Sequence, residues 1–206
     1  LRHASRSVLM HIINAIKTGD VNEAPRLEAM LSHTIQSNKE REMAYVRQAT
    51  HDALTGCKNR RAFDSDIAEL LNAQQPFAMA LVDIDNFKSI NDTLGHLTGD
   101  IVLRNVAREG IQIMQPHHVS VYRYGGEEFA VIFQAEQMSS ALSLLEAWRT
   151  AVEKRVWREE NLRVTFSGGL GEWHFEPLEQ FVGSVDNALY SAKQQGKNRI
   201  VRTSIS

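Results

Sequence analysis

The chain has 206 residues, with 23 Lys plus Arg against 25 Asp plus Glu and a formal net charge of -2. At about 150 residues per domain this is one full domain and an appendage, and a composition 43% hydrophobic and 23% charged excludes wholesale disorder. Near-neutral charge argues against a whole-surface nucleic-acid binder, and a single cysteine, Cys57, excludes an internal disulfide and fits a reducing, cytoplasmic compartment.

Residues 1–51 carry 7 Lys/Arg, 5 Asp/Glu and one glycine, Gly19. Val8, Leu9, Ile12, Ile13 and Ile16 recur at helical spacing. Thr18-Gly19-Asp20 ends that helix, because glycine accepts the left-handed conformation beyond a helix. Asn22 caps a second helix that runs to about residue 50, with Pro25 tolerated in its first turn. Met43, Val46, Thr50 and Ala53 trace a weak heptad seam, which Ser32, Gln36 and Lys39 spoil upstream. The segment reads either as a surface helix packed on its own domain or as a short parallel stalk joining two copies. The chain opens on Leu1 rather than Met, so it is expected to be a fragment or processed product that lacks an upstream sensor region. Its parent could be membrane-anchored. The longest apolar stretch near the centre, residues 77–82, falls far short of the ~20 residues that span a bilayer.

Residues 52–206 alternate between elements. Periodicity predicts helices over 61–71, 87–94, 100–114, 139–156 and 178–194. It predicts strands over 77–84, 119–124, 129–133, 162–170 and 199–202. The 100–114 helix is expected to follow a break at Gly99, and Gly125-Gly126 to make a tight hairpin turn. Strand–helix–strand, then hairpin, then helix–strand is an α+β pattern with helices on an antiparallel-rich sheet.

Three groups of polar residues stand at the ends of these elements. Asp83 and Asp85 close an apolar strand. Spaced two apart, they are expected on one face, as a solvated strand end or as a site for a hard cation such as Mg²⁺. Glu127 and Glu128 follow Gly125-Gly126 at once, although a merely structural turn has no need of two carboxylates. Adjacent strands could bring Glu127 beside Asp83, and the bare glycines would let backbone approach a phosphate. Asn91 and Asp100 flank a helix break, and an amide with a carboxylate suits the edge of a guanine. Lys88, one helical turn before Asn91, could reach a phosphate as a point charge. Singly, each of these is more simply a cap or a surface charge.

Together they closely resemble the signature of the GGDEF-type diguanylate cyclases. The resemblance is carried by Asp83-Ile84-Asp85, Phe87-Lys88-x-x-Asn91-Asp92, Gly95-His96, Gly99-Asp100 and Arg123-Tyr124-Gly125-Gly126-Glu127-Glu128-Phe129. Asp52-Ala53-Leu54-Thr55-Gly56 with Asn59-Arg60-Arg61 resembles the family's opening motif, and Ala192-Lys193-x-x-Gly196-Lys197-Asn198-Arg199 its closing one. The likeness covers residues 52 to about 202 and leaves 1–51 as a helical extension.

The family implies a palm-like sheet related to class III nucleotidyl cyclases, and condensation of two GTP into cyclic di-GMP and pyrophosphate. Carried over by motif, Asp83, the Ile84 carbonyl and Glu127 would hold Mg²⁺, with Mn²⁺ as a substitute. Glu127 would also activate the attacking 3′-hydroxyl. Asn91 and Asp100 would read guanine, with His96 nearby. Lys88, Lys193 and Lys197 would bind phosphates, and the nucleotide would lie against Gly125-Gly126. Because one domain holds one GTP and the product joins two guanylates, a homodimer of facing half-sites is implied, with no nucleic-acid partner.

There is one departure. The family's Arg-x-x-Asp product-binding motif falls here on Pro116-His117-His118-Val119, which carries neither charged residue.

Overall fold

Strand β1 (Phe77–Ile84) is apolar along almost its whole length, and a strand of that kind must be covered on both faces. In the computed structural model, which describes residues 10, 11, 13, 17 and 24–204, β1 is the middle strand of a five-stranded sheet. The order is β2 (Ser120–Arg123), β3 (Glu128–Gln134), β1, β4 (Phe166–Glu172) and β5 (Ile200–Arg202). β1 is antiparallel to both neighbours, β2 and β3 form a hairpin, and β5 joins β4 in parallel. The helices are α1 (Ala24–Thr50), α2 (Arg60–Asn72), α3 (Phe87–Leu94), α4 (His96–Met114), α5 (Ala141–Lys154) and α6 (Leu178–Gln194).

Alternate residues of β1 serve two cores. Ala78, Ala80, Val82 and Ile84 pack with Phe129, Val131 and Phe133 against α4 and α5. There Trp148 of α5 is fully buried, its indole N–H donating to the Val106 carbonyl of α4 at 2.9 Å and its ring centroid 4.8 Å from that of Phe166. Phe77, Met79 and Leu81 pack with Ala130 and Ile132 against α2 and α6. Asp83 keeps the phase of this second set, so its carboxylate leaves the sheet on the side of α6. Gly169 of β4 lets α6 come close, since a Cβ there would overlap the Val185 carbonyl oxygen.

The α+β, antiparallel-rich architecture agrees with the sequence reading, and the elements over 77–84, 87–94 and 178–194 keep their predicted bounds. Four details differ. The helix break lies at Gly95, whose φ of +83° glycine tolerates, while Gly99 sits inside α4. β4 starts at Phe166 rather than 162, with the Asp85 N–H donating to the Thr165 carbonyl at 2.9 Å as the last bond between the two chain segments and Leu162 turned back onto the Glu159 carbonyl. The predicted 139–156 helix opens as a 3₁₀ turn (Met138–Ser140) and ends at Lys154, where Arg155 turns extended and bonds Glu109 and Asn105 of α4. Ala53 lies in a turn beyond α1, so it cannot extend a helical seam.

The chain separates into two units, Leu1–Ala49 and Thr50–Ser206. In the first, α1 leaves Leu31, Ile35, Met43, Tyr45 and Val46 exposed. The predicted helix over Val8, Leu9, Ile12, Ile13 and Ile16, its stop at Thr18-Gly19-Asp20 and the Asn22 cap lie, save for Ile13, outside the described residues. Among the described residues no helix is long and apolar enough to cross a membrane.

Candidate active site

The sheet register brings the carboxylates together. Asp83 stands opposite Glu128 across the β1–β3 pairing, and the Ile84 N–H donates to the Glu127 carbonyl at 3.3 Å. The hairpin loop is wider than a two-residue turn. Residues 124–127 link β2 to β3, closed by the N–H groups of Tyr124 and Gly125 on the Glu128 carbonyl at 2.8 and 3.2 Å. Neither Gly125 nor Gly126 has a positive φ, so left-handed backbone is not what glycine supplies here. A Cβ on Gly125 would press on Glu128 Oε2, whereas one on Gly126 would meet open space. Gly126 therefore leaves room directly over the turn.

Crowding of like charge is the electrostatic mark of this corner. Burial raises the Asp83 carboxyl above its ordinary range, and the charges of Glu127 and Asp85 add to that, against the opposing pull of Lys193. Glu128 is raised in the same way, by burial first and then by Asp83 and Glu127. Among the described residues the cation that pairs with the cluster is Lys193 on the last turn of α6, with Nζ 2.9 Å from Asp83 Oδ1.

Asn91 and Asp100 face the same helix break from either side. Both are half-buried, Asn91 on α3 and Asp100 on α4. Asn91 Oδ1 is buried without a hydrogen-bond partner, and it rests over Gly99, where a Cβ would collide with it. A buried amide oxygen left unpaired is costly, so this side chain is held in place for something other than its own stability. Lys88 and His96 are exposed, on α3 and at the first position of α4, and neither bonds the carboxylate corner. Lys197 lies in the loop after α6, its Nζ donating to Asn86 Oδ1 at 2.5 Å.

Asp85 does not join Asp83. It is 4% exposed and accepts from the hydroxyls of Thr165 and Ser167, both at 2.7 Å, and from the Asn198 N–H at 3.0 Å. The two aspartates differ in exposure: Ser167, the register partner of Asp83, and Thr165 enclose the Asp85 carboxylate and leave it buried, while Asp83 stays half-buried.

Two arginines that sequence reading left without a role hold the hairpin loop. Arg123 donates through Nε and Nη2 to the Gly126 carbonyl at 3.2 and 3.0 Å, and through Nη1 to both oxygens of Asp52 at 3.0 and 3.1 Å. Burial alone would raise the Asp52 carboxyl, but the Thr55 hydroxyl and N–H and the Arg123 guanidinium outweigh it and hold it below its ordinary range. Arg60 lies 3.8 Å over the ring of Tyr124. Both motifs were visible as residues, but the pairing of Asp52 with a side chain 71 positions away is not legible in one sequence.

A metal centre is consistent with this corner, though not complete in side chains alone. Among the described residues no three His, Cys, Asp or Glu side chains are gathered closely enough to hold a metal by themselves. Asp83 and Glu128, both raised by burial and then by neighbouring carboxylate charge, nonetheless stand with Glu127 around a single lysine, and Asp83 with Glu127 would need the Ile84 carbonyl and ligand phosphate oxygens to fill a hard cation's shell.

A family model described as "Diguanylate cyclase, GGDEF domain" matches residues 49–199. Diguanylate cyclase VdcA of Vibrio cholerae is 37% identical over 169 residues, covering 79% of this chain and 50% of that protein. Diguanylate cyclase DgcM of Escherichia coli is 35% identical over 187 residues, covering 88% of this chain and 42% of that protein. The chain thus spans half or less of the length of these curated relatives. Among solved structures, the coiled coil and GGDEF domain of DgcB from Caulobacter crescentus, in complex with c-di-GMP, aligns with a TM-score of 0.73 at 32% identity, covering 88% of this chain and all of that one. The match runs through both the sheet that carries the carboxylates and the hairpin that presents them, and the chain belongs to the GGDEF family of diguanylate cyclases.

Proposed function

We propose that this chain condenses two GTP into cyclic di-GMP, releasing two pyrophosphates, as a dimer of half-sites in bacterial second-messenger signalling. The observation that carries this is the meeting of Asp83, Glu127 and Glu128 beside Lys193, at the hairpin of a GGDEF-family sheet. A module that only binds nucleotide has no use for three carboxylates gathered around one lysine.

Asn91 and Asp100 grip the guanine edge. Lys193 and Lys197 take the phosphates, and Lys88 turns in from α3 to the charge that develops on them. Asp83, the Ile84 carbonyl and Glu127 would hold Mg²⁺, or Mn²⁺ in its place. That cation would supply acidification of the attacking hydroxyl and neutralisation of charge on the leaving pyrophosphate. Glu127 accepts the proton of the 3′-hydroxyl. The O3′–Pα bond forms, the bond from Pα to pyrophosphate breaks, and the same exchange in the facing half-site closes the ring. Two domains must therefore face each other across a two-fold axis. α1 of each copy, with its exposed Leu31, Ile35 and Met43, raises the effective concentration of the second half-site. The catalytic part works in the cytoplasm, driven by a sensor elsewhere in a longer parent protein.

Incubating the purified chain with GTP and Mg²⁺ should give cyclic di-GMP and pyrophosphate. Activity per chain should rise with protein concentration until dimers saturate, and deleting residues 1–49 should move that rise to higher concentration. A monomer with concentration-independent activity, or another product, would overturn this assignment.

Product feedback through the loop before β2 is expected to be weak. Pro116 and His117 lie in a 3₁₀ turn, His118 follows in left-handed backbone with φ of 57°, and Val119 is buried. None offers the charged fork that grips a phosphate or a guanine. Initial rates over a cyclic di-GMP series at several GTP concentrations should show competitive inhibition only. Strong non-competitive inhibition that vanishes on changing both His117 and His118 to Ala would contradict this.

A further inference from the structure

Residues 196–198 form a run of three consecutive left-handed residues near the site. Gly196, Lys197 and Asn198 have φ values of 110°, 62° and 49° in succession. A side-chain-bearing residue rarely holds such a conformation unless its surroundings impose it. Here they do. The Asn198 N–H is fixed by Asp85 Oδ2 at 3.0 Å. Its side-chain amide bridges two residues of α5, accepting from Arg149 Nη1 and donating to Glu153 Oε1, both at 2.8 Å. Asp85 is anchored in turn by Thr165 and Ser167 at the start of β4.

Building on the phosphate assignment proposed above, we infer that Asp85 is a positioning residue. It holds the strained 196–198 loop so that Lys197, and Lys193 on the helix turn before it, stand at the phosphate end of the site. Asp85 is 4% exposed and its two oxygens already receive three donors, so it acts through this loop and not as a ligand of substrate or metal. Lys193 reaches Asp83 from α6 and Lys197 reaches Asn86 from the loop, so Lys197 joins Lys193 at the end of β1 only while the loop keeps its shape.

The sign of the effect separates this role from a simple field effect. Removing a negative charge near the site should by Coulomb's law tighten binding of a triphosphate. Releasing the loop should loosen it, and only for ligands that carry the β- and γ-phosphates. The test compares the α,β-methylene analogue of GTP, which cannot react at the α–β bond, with GMP. Both are titrated by calorimetry into the full chain, its Asp85→Asn variant and its Asn198→Gly variant. Asn198→Gly keeps the N–H and tolerates the positive φ, but cuts the bridge to α5. Both variants should bind the analogue about tenfold more weakly and GMP unchanged. Equal losses for both ligands, tighter analogue binding, or no change would overturn the role of Asp85. If the unmodified chain itself binds the analogue no better than GMP, the phosphate assignment fails instead. Should Asp85→Asn not fold, Thr165→Val, which removes a hydroxyl donor from Asp85 Oδ2 and leaves the loop's own residues unchanged, decides in its place by the same outcomes.

Discussion

Glu127→Gln is expected to reduce cyclic di-GMP formation by roughly a thousandfold or more while leaving the fold intact. The substitution keeps the size of the side chain and its place in the hairpin loop, where the Glu127 carbonyl, not its carboxylate, bonds the Ile84 N–H. What it removes is the proposed proton acceptor and one negative charge from the carboxylate corner. The structure also fixes what should happen to stability. Burial and the charge of Glu127 both help raise the Asp83 carboxyl. A carboxyl whose pKa is raised by folding favours the folded state when protonated, and that contribution is lost as pH rises from the unfolded value through the folded one. At neutral pH Asp83 and Glu128 therefore oppose folding, and Glu127→Gln lightens the load. The melting temperature at pH 7 should be equal to or above that of the unmodified chain. Near-normal turnover would remove Glu127 from the mechanism, and a drop in melting temperature would show that the corner is not under charge strain.

The same strain explains why this site was partly legible in the sequence. Carboxylates at a strand end and after a Gly-Gly pair are conspicuous because local structure gives no reason for them, and sheet register then brings them together. The elements with strong periodicity, such as β1 and α6, were also readable, since each has an apolar pattern long enough to set its bounds. What stayed hidden depends on partners far along the chain. Gly99 reads as a helix breaker until Asn91 is seen lying over it. Asp85 reads as a twin of Asp83 until Thr165, Ser167 and Asn198 are seen to enclose it. Leu162 and Val164 look like the start of a strand, and Val164 is indeed buried, but Leu162 N–H turns back onto the Glu159 carbonyl and the segment pairs with β1 only from Thr165 on.

Gly99→Ala is expected to weaken binding of an inert GTP analogue by about 100-fold, through Asn91 and not through the helix itself. Intrinsic propensity points the other way, since alanine inside a helix is favoured over glycine by about 1 kcal/mol. The local geometry overrules it. A Cβ at Gly99 would overlap Asn91 Oδ1 and come within 3.3 Å of the Phe87 ring. Phe87 is a buried anchor of α3 and yields less readily than an amide at the edge of the core, so Asn91 is the group that moves. Once displaced, it can no longer present its amide to the guanine edge proposed to lie beside Asp100. Asn91→Ala should therefore cost about as much affinity as Gly99→Ala, and the double variant should cost little more than either alone, because residues that act through one contact are not additive. Removing the Asn91 side chain also removes the collision, so the double variant should melt at a higher temperature than Gly99→Ala. Additive losses in affinity would mean that Gly99 acts independently of Asn91. Unchanged affinity in a folded Gly99→Ala variant would mean that guanine is read elsewhere.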